Sequence, residues 1–342
     1  MDVGRRIETV LDGAVAHAEA PGAPPRLAEA IRYAVFPGGH RIRPRLCIAV
    51  ALACGDDDPA ASDAAAAAIE LLHCASLVHD DLPCFDDAPT RRQKPSVHAA
   101  FGVPLAVLTG DALIVAAFET LARGAARSPA RLAALVGLVA RAVGSPSGIV
   151  AGQAWESEPH VDLVEYQQAK TGALFAAATV AGAAASGAPP LPWRLLGECL
   201  GEAYQVADDL RDVACRQEEI GKPAGRDATL GRPNAAALLG TGGALDRPKR
   251  LTAEAIAAPR LARTLAGAPQ RPCRLARLPA LGGGLSAHPP DRAAQHAGSV
   301  RSLRRLRLRT GAVRLHPARS LQAAAGRPAR PGDDRPSGGP PV

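Results

Sequence analysis

Aromatic residues are scarce in this chain of 342 residues, which has five Phe, three Tyr and two Trp, together with a single Met. All ten rings lie at or before Tyr204, whereas 13 of the 31 prolines fall in residues 235–342. A segment of about a hundred residues without a ring and with frequent proline cannot build an ordinary hydrophobic core. The core must therefore lie in the first two thirds of the chain.

The chain also lacks the patterns that direct a protein to a membrane or to an oxidising compartment. No run approaches 18 uninterrupted apolar residues. The first residues do not follow the basic and then apolar order of a signal peptide, and the seven cysteines contain no Cys-x-x-Cys pair. We therefore expect no transmembrane segment, no disulfide or zinc framework, and a cytoplasmic protein whose cysteines are reduced and buried.

Charge is divided unevenly along the chain, so the formal net charge of +7 is an average of two unlike regions. Residues 235–342 hold 19 Lys and Arg against five Asp and Glu, whereas residues 1–234 have a net charge of −7. The basic region has no interleaved aromatic residues and no recognisable nucleic-acid-binding module. We expect no nucleic-acid partner for the acidic body of the chain.

Apolar residues follow a helical pattern through residue 215. Ala and Leu dominate, the β-branched residues are scattered, and alternation with period two is nearly absent. The predicted helices cover residues 5–19, 25–36, 41–54, 61–81, 103–125, 129–143, 147–156, 162–186 and 192–215. We expect an all-α fold, a large single-domain bundle with at least two helices that are apolar on most faces at its centre.

The helical pattern decays beyond residue 258, although residues 235–258 are still compatible with a helix. Pro259, Pro269 and Pro272 interrupt any later helix before three turns are complete. We expect a domain at residues 1–258 and an irregular tail at residues 259–342. Because the tail is rich in the residues that GC-rich codons encode, we expect it to be disordered or read in a shifted frame.

The first acidic cluster holds four carboxylates, Asp80, Asp81, Asp86 and Asp87, at the end of a predicted helix. Carboxylates this close repel one another unless cations are near, and the helix dipole disfavours negative charge at this end. Pro83 ends the helix, which lets Asp86 fold back towards Asp80. Taken alone, the cluster favours a solvated acidic loop.

A second acidic cluster changes that interpretation. Asp208 and Asp212 are four residues apart on one helix face, and Gln205 and Asp209 form a second such pair beside them. Two Asp-rich helices can face each other across a cavity and share divalent cations. Oxygen ligands of this kind suit Mg²⁺, whose coordination is completed by water and substrate phosphates.

Basic residues that suit phosphates occur in the same region of the chain. The segment Gly38 to Pro44 opens a predicted helix, where free N–H groups favour an anion. His73 lies two helical turns before Asp80 on the same face. The other basic elements are Arg91-Arg92, Lys170-Thr171-Gly172 and the run from Gly221 to Asp227.

In this order the motifs resemble those of the trans-isoprenyl diphosphate synthases, the family of farnesyl and geranylgeranyl diphosphate synthases. The resemblance covers roughly residues 25–258 and implies a helical bundle around a central cavity. The matching elements are GGxRxRP (Gly38–Pro44), DDxxxxD (Asp80–Asp86), Arg91-Arg92, Gly110–Leu113, Gly152-Gln153, Lys170–Gly172, QxxDDxxD (Gln205–Asp212) and GKxxGRD (Gly221–Asp227).

The resemblance implies a head-to-tail prenyltransferase that condenses isopentenyl diphosphate with allylic diphosphates, and whose product feeds carotenoid-type isoprenoids. The allylic diphosphate ionises, isopentenyl diphosphate attacks the cation, and a proton is lost to the released diphosphate. The catalytic residues it implies are Asp80, Asp86, Asp208 and Lys170. The Mg²⁺ ligands it implies are Asp80, Asp81, Asp86, Asp208, Asp209 and Asp212.

The same resemblance assigns substrate contacts and an oligomeric state. Residues for isopentenyl diphosphate are His40, Arg43, His73 and Arg92. Residues for the allylic diphosphate are Arg91, Lys170, Lys222 and Arg226, and Thr171 and Gln205 complete the substrate-binding set. Family members are usually homodimers, so we expect a homodimer here.

Three positions make the expectation more specific. The family usually has Lys where His40 stands, so we expect tighter binding of isopentenyl diphosphate at lower pH, where an imidazole is charged. In the family, the positions four and five residues before the first Asp line the floor of the product pocket, and here they are Ser76 and Ala75. Because these side chains are small, we expect a product of twenty carbons, geranylgeranyl diphosphate, in preference to one of fifteen.

Several alternatives remain at this point. A farnesyl diphosphate synthase would share every motif. A terpene cyclase or head-to-head synthase also uses Asp-rich helices and Mg²⁺, but it has no need of the GGxRxRP and GKxxGRD elements. A non-catalytic partner subunit, or a protein that binds nucleic acid through the Arg-rich tail, is the alternative from another class.

Overall fold

The computed structural model describes residues 2–214, 246–255, 257 and 313–314. The helices are α1 (Val3–Ala18), α2 (Pro25–Val35), α3 (Ile42–Cys54), α4 (Pro59–Asp80), α5 (Val97–Phe101), α6 (Val103–Gly124), α7 (Pro129–Val143), α8 (Ile149–Ala154), α9 (Leu163–Gln167), α10 (Ala173–Ala185), α11 (Arg194–Ala214) and α12 (residues 246–255). Shorter helical turns are Trp155–Ser157 and Leu191–Trp193, both 3₁₀, and Gln168–Gly172, which is π-helical. The predicted all-α fold is confirmed.

Strands are confined, in the described ranges, to two antiparallel pairs of two residues each. Strand β1 (Thr90–Arg91) pairs with β2 (Lys94–Pro95), so that Arg91 lies opposite Lys94. Strand β3 (His160–Val161) pairs with β4 (Val313–Arg314). The β1–β2 hairpin carries two of the predicted substrate residues and follows the first acidic cluster directly.

Helix boundaries follow from local chemistry. The Asp2 carboxylate accepts a hydrogen bond from the Arg5 N–H at the start of α1, and Asp58 caps Ala61 in the same way at the start of α4. These side chains satisfy N–H groups that lack a partner within the helix. Gly55 ends α3 with a φ of 111°, a backbone conformation that glycine adopts without strain.

Helices α4 and α10 form the centre of the bundle, as the sequence predicts. Fourteen residues of α4 and eleven of α10 are buried, and most of them are Ala. The small side chains let the helices approach closely: a Cβ at Gly182 would lie 2.3 Å from the Cys47 carbonyl oxygen, and one at Gly124 would lie 2.3 Å from the Ala64 Cβ. The shortage of aromatic residues is therefore compatible with a dense core.

Three local features differ from the sequence prediction. The helix predicted over residues 162–186 is α9 and α10 joined by the π-helical turn. The β1–β2 hairpin and the five-residue α5 are absent from the prediction, because neither is long enough to show a periodicity. Of the helix considered over residues 235–258, the structure describes α12, and the predicted tail from residue 259 lies outside the described residues apart from β4.

The cysteines of the described part of the chain are free thiols. Cys47, Cys74 and Cys199 are buried, as expected, and burial raises the pKa of the Cys74 thiol to about 12. Cys84 is exposed, contrary to the expectation, because it lies in the loop after α4. These environments agree with cysteines that act as small hydrophobic residues at the buried sites.

Two helices, α4 and α6, are long and apolar enough to cross a membrane by length and composition alone. Within the apolar window of α4, 78% is buried inside the fold, as is common for the core helix of a soluble protein. The corresponding window of α6 is 44% buried. Helix α6 lies along α4, and Val107 and Val115 are among its exposed residues.

Candidate active site

A cavity of about 910 Å³ lies between the C-terminal half of α4, the start of α3, α8, the π-helical turn and α11. It brings together residues that are far apart in the sequence. The predicted site residues that line it are His40, Arg43, His73, Ala75, Ser76, Asp80, Asp86, Arg91, Arg92, Lys170, Thr171, Gln205, Asp208 and Asp209.

The first acidic cluster folds back on itself as the sequence predicts. Helix α4 ends at Asp80, and the Asp86 N–H donates a hydrogen bond of 2.9 Å to the Asp80 carbonyl oxygen. The loop is closed further by the Asp87 N–H, which donates to the Leu82 carbonyl oxygen at 3.0 Å. Asp80 and Asp86 consequently share one wall of the cavity, whereas Asp87 is exposed outside it.

Asp81, which the sequence predicts as a metal ligand, does not line the cavity. Its side chain is buried and accepts hydrogen bonds from Arg91, with Nε 3.0 Å from Oδ1 and 3.2 Å from Oδ2. Burial raises the pKa of the Asp81 carboxyl, and the bonds from Arg91 oppose that shift in part. Asp81 therefore fixes Arg91, whose Nη2 lies 3.7 Å from Asp80 Oδ2.

The second acidic cluster is held by a short chain of hydrogen bonds between two helical segments. Thr171 Oγ1 donates to Gln205 Oε1 at 2.6 Å, and Gln205 Nε2 donates to Asp209 Oδ1 at 2.7 Å. Asp208 and Asp209 both line the cavity. Asp212 lies in the last turn of α11, and its side chain is outside the described set.

Lys170 lies on the π-helical turn, a distortion that is frequent at functional sites. Its Nζ lies 3.6 Å from Asp80 Oδ1. The turn passes so close to α8 that a Cβ at Gly152 would lie 2.5 Å from the Lys170 backbone nitrogen. The Gly152-Gln153 pair in the sequence is thus explained by a close approach of two backbones.

Glu156 holds Lys170 and was missed by the sequence analysis. Its Oε1 accepts hydrogen bonds from Lys170 Nζ and, at 2.7 Å, from the Tyr166 hydroxyl, and its Oε2 accepts from Gln153 Nε2 at 2.9 Å. The sequence does contain a pattern that indicates the role of Glu156. Tyr166 and Lys170 are four residues apart, on one helix face, and Glu156 follows the Gly152-Gln153 pair within one helical turn.

The part of the cavity wall that Arg43, His73 and Arg92 form is basic. The Arg43 guanidinium lies 4.5 Å from the centre of the Phe175 ring and 5.8 Å from that of Tyr204, and its buried Nε has no hydrogen-bond partner among the described residues. Burial lowers the pKa of Arg43. Burial, followed by the charges of Arg43 and Arg92, lowers the pKa of His73 well below its usual value, so His73 is a neutral hydrogen-bonding group.

Arg41, between His40 and Arg43, serves the structure of the segment that opens α3. Its backbone is left-handed, with a φ of 51°, and its buried side chain donates to Glu8 at 2.9 Å and to the buried Glu70 at 2.8 Å. These bonds hold the turn that presents His40 and Arg43 to the cavity.

The cavity has an apolar end beside α4. Ala75 and Ser76 line it together with Ile114 and Ile149 from α6 and α8. The Ser76 hydroxyl donates to the His73 carbonyl oxygen at 2.8 Å, so it is satisfied within its own helix. The cavity therefore carries charged groups at the helix ends, and its wall beside Ala75 and Ser76 is formed by small side chains.

Lys222 and Arg226, the remaining predicted substrate residues, lie outside the described residues. Among the residues that are described, no three Asp, Glu, His or Cys side chains converge to form a complete metal cage. The carboxylates that line the cavity supply only hard oxygen donors, a set that suits Mg²⁺ when water and phosphate oxygens complete the coordination.

The chain is similar in sequence to known proteins. The family model for polyprenyl synthetase matches residues 24–258. The geranylgeranyl diphosphate synthase of Cereibacter sphaeroides is 57% identical over 253 residues, which are 74% of this chain and 88% of that protein.

Solved structures show the same architecture. An FPP/GFPP synthase from Zymomonas mobilis superposes with a TM-score of 0.64 at 32% identity, over 77% of this chain and 95% of the other. A geranyltransferase from Helicobacter pylori, complexed with magnesium and isoprenyl diphosphate, gives a TM-score of 0.64 at 28% identity, over 76% and 91% of the two chains.

Proposed function

Because the chain belongs to the polyprenyl synthetase family, we propose that it is a geranylgeranyl diphosphate synthase, a prenyltransferase that joins isopentenyl diphosphate to allylic diphosphates. One observation carries the proposal: a single cavity has Asp80 and Asp208 on its wall, basic residues beside them, and an apolar end walled by Ala75. A cavity with this arrangement can hold a diphosphate at its charged end and an apolar chain at the other.

The allylic diphosphate is assigned to the charged end near α4 and α11. Asp80, Asp86, Asp208 and Asp209 would hold Mg²⁺ there, in agreement with the magnesium bound by the Helicobacter pylori geranyltransferase. When bound, Mg²⁺ neutralises the negative charge that develops on the departing diphosphate. Lys170 and Arg91 supply positive charge at the same end of the cavity. Glu156 orients Lys170, and Asp81 orients Arg91.

Isopentenyl diphosphate is assigned to the basic wall formed by His40, Arg43, His73 and Arg92. The neutral His73 can donate one hydrogen bond to a phosphate oxygen, while the arginines supply fixed charge. With both substrates in one cavity, the double bond of isopentenyl diphosphate would be held close to the allylic carbon that loses its diphosphate. The apolar wall keeps water from the cation that forms.

The length of the product is assigned to the apolar end. The Ala75 side chain has one carbon, and the Ser76 hydroxyl is turned to the backbone of its own helix, so neither blocks a long chain. This favours a product of twenty carbons. A farnesyl diphosphate synthase is the second candidate, since all other residues of the site would serve it equally.

We also propose that the enzyme is a cytoplasmic homodimer. Helix α6 supports a dimer, because the apolar side chains of Val103, Val107, Leu108 and Val115 on this helix are exposed. Light scattering coupled to gel filtration would measure the mass, and a mass of one chain at micromolar concentration would contradict the proposal.

The catalytic domain is proposed to span residues 1–258, with residues 259–342 as an appended tail. The match to the family model, which ends at residue 258, supports this boundary. Re-reading the coding DNA for a single inserted or deleted base near this point tests whether the tail is in the native frame. An intact frame, with no helical continuation in either alternative frame, would count against a shifted reading.

The direct test is an assay of the full chain with isopentenyl diphosphate, one allylic diphosphate at a time, and Mg²⁺. The products are dephosphorylated and sized; a twenty-carbon alcohol is expected, and a fifteen-carbon alcohol would favour the second candidate. Asp86→Asn should lower kcat at least a hundredfold, whereas Asp87→Asn, a matched change outside the cavity, should leave it within about twofold. Equal effects of the two variants would contradict the assigned site.

A further inference from the structure

Two segments that carry substrate residues meet at one side of the cavity. The segment between α2 and α3 carries Gly39 and His40, and the β1–β2 hairpin carries Arg91 and extends to Arg92. They are in direct contact, since a Cβ at Gly39 would lie 3.1 Å from Arg92 Nη2. The position of Arg92 in the cavity therefore depends on how the hairpin sits against the first segment.

Two residues outside the cavity join these segments by reciprocal bonds. Lys94 Nζ donates hydrogen bonds to the carbonyl oxygens of Tyr33 and, at 2.9 Å, Phe36. The Tyr33 hydroxyl donates in return to the Pro95 carbonyl oxygen at 2.8 Å, and the Lys94 ammonium lies 3.8 Å from the centre of the Tyr33 ring. Neither Tyr33 nor Lys94 lines the cavity.

The carbonyl groups that Lys94 binds need an external donor. In a helix the carbonyl of Tyr33 would accept a bond from the N–H four residues later, but that residue is Pro37, which has none. An ammonium group at the C-terminal end of a helix also matches the helix dipole. Lys94 thus completes the end of α2 while it fastens the hairpin.

The two arginines of the hairpin differ in how they are held. Arg91 is fixed independently by its hydrogen bonds to Asp81. Arg92 makes no hydrogen bond or ion pair within the described ranges and rests against Gly39. A loosened hairpin would therefore displace Arg92 more than Arg91.

We propose that Lys94 and Tyr33 are positioning residues for the isopentenyl diphosphate site, which hold Arg92 against the segment of His40. The proposal rests on the proposed function for the identity of the substrate. It assigns roles to two residues that touch neither substrate and that act through the placement of the hairpin.

The test compares Michaelis constants for the two substrates. Lys94→Met should raise the KM for isopentenyl diphosphate about tenfold, while kcat and the KM for the allylic diphosphate stay within about twofold. Tyr33→Phe should give a smaller change in the same direction, because the ring and the Lys94 bonds remain, and Lys94→Arg should restore most of the affinity.

Arg131→Met is the matched control. Arg131 also ties a helix end, donating to the Ala185 carbonyl oxygen at 3.0 Å and to Asp57 at 2.9 Å, but away from the cavity. It should lower the melting temperature and leave both KM values unchanged. Equal rises in both KM values for Lys94→Met, or the same profile in Arg131→Met, would overturn the proposal.

Amide hydrogen exchange of the full chain gives a readout without turnover. Lys94→Met should speed exchange in residues 36–41 and 90–95 and leave α10 unchanged. Unchanged exchange in these segments would overturn the positioning role. If the wild-type chain forms no prenyl product, the proposed function fails, whereas the exchange result still decides whether Lys94 holds the two segments together.

Discussion

Gln205 Nε2 donates a hydrogen bond of 2.7 Å to Asp209 Oδ1, one helical turn further along α11. The other end of the same amide accepts from Thr171 at 2.6 Å. The amide therefore links the π-helical turn that carries Lys170 to a carboxylate of the second acidic cluster. It sets the orientation of a proposed metal ligand without needing to touch the metal.

Replacement of Gln205 by Met should weaken the response to Mg²⁺. Both hydrogen bonds are lost, and the Asp209 carboxylate loses a donor that orients it; a loss of about 1–2 kcal/mol corresponds to a rise of about tenfold in the half-saturating Mg²⁺ concentration. The half-saturating concentration is measured by following enzyme activity as Mg²⁺ is titrated. Thr171→Val removes only the bond from Thr171 to the amide, so a rise as large as that of Gln205→Met would contradict this account.

Gly152→Ala should damage both stability and catalysis. The added Cβ would lie 2.5 Å from the Lys170 backbone nitrogen, so the π-helical turn must move. Overpacking of this kind costs about 1–3 kcal/mol of unfolding free energy, and the displacement of Lys170 should raise the KM for the allylic diphosphate.

Gly13→Ala provides the control for that change. Gly13 lies inside α1, and a Cβ there has no neighbour within 4 Å. The substitution should stabilise the protein by about 0.5–1 kcal/mol because alanine loses less backbone entropy than glycine in a helix. Denaturant unfolding of both variants measures the difference; similar effects of the two would show that the close approach at Gly152 is unimportant.

The fold was predictable from sequence where helices are long and apolar. The sequence predicts at least two central helices that are apolar on most faces, and the structure identifies them as α4 and α10. The two acidic clusters predict that the helices carrying them face a common cavity, and both α4 and α11 line it. The hairpin of Thr90 to Pro95 was not predictable in this way, because it is held by Lys94 and Tyr33 from a distant segment rather than by a local pattern. Pairing over that distance leaves no periodic signal.

The site was predictable at the level of residue types but not of partners. Asp80 and Asp81 are adjacent in the sequence and chemically identical. At the end of α4, however, the Asp80 side chain lines the cavity, whereas the Asp81 side chain binds Arg91. Glu156 was missed because its significance depends on Lys170 and Tyr166, which only the fold brings to it. The resemblance to a family supplied the roles, and the structure separated the residues that line the cavity from those that hold them.

His40→Lys should remove a pH dependence of isopentenyl diphosphate binding. His40 is exposed on the cavity wall. A lysine ammonium in its place would add a positive charge that persists between pH 6 and 8, so the two proteins should differ in how the KM for isopentenyl diphosphate varies with pH. His73 stays neutral in this range because its pKa is lowered well below the usual value, and the nearby arginines stay charged.

The measurement is the KM for isopentenyl diphosphate between pH 6 and 8 in the two proteins. The lysine variant should have the lower KM at pH 8 and a flatter profile, since lysine remains charged throughout. Ionisation of the substrate is common to both proteins and cancels in their ratio. A KM that does not vary with pH in either protein would contradict the role of His40.

Ala75→Tyr should shift the product from twenty carbons to fifteen. Ala75 is 1% exposed overall and lines the apolar end of the cavity, so a phenol ring placed there must occupy space that the growing chain would use. A pocket shortened by one isoprene unit has no room for a chain longer than fifteen carbons, so the fifteen-carbon product is released instead of being extended.

Ser76→Ala is the matched control, because the Ser76 hydroxyl is bonded to the His73 carbonyl oxygen and its loss leaves the wall unchanged. Gas chromatography of the dephosphorylated alcohols should show mainly the fifteen-carbon product for Ala75→Tyr and the wild-type product for Ser76→Ala. An unaltered product in a folded, active Ala75→Tyr variant would mean that another part of the cavity wall sets the length of the chain.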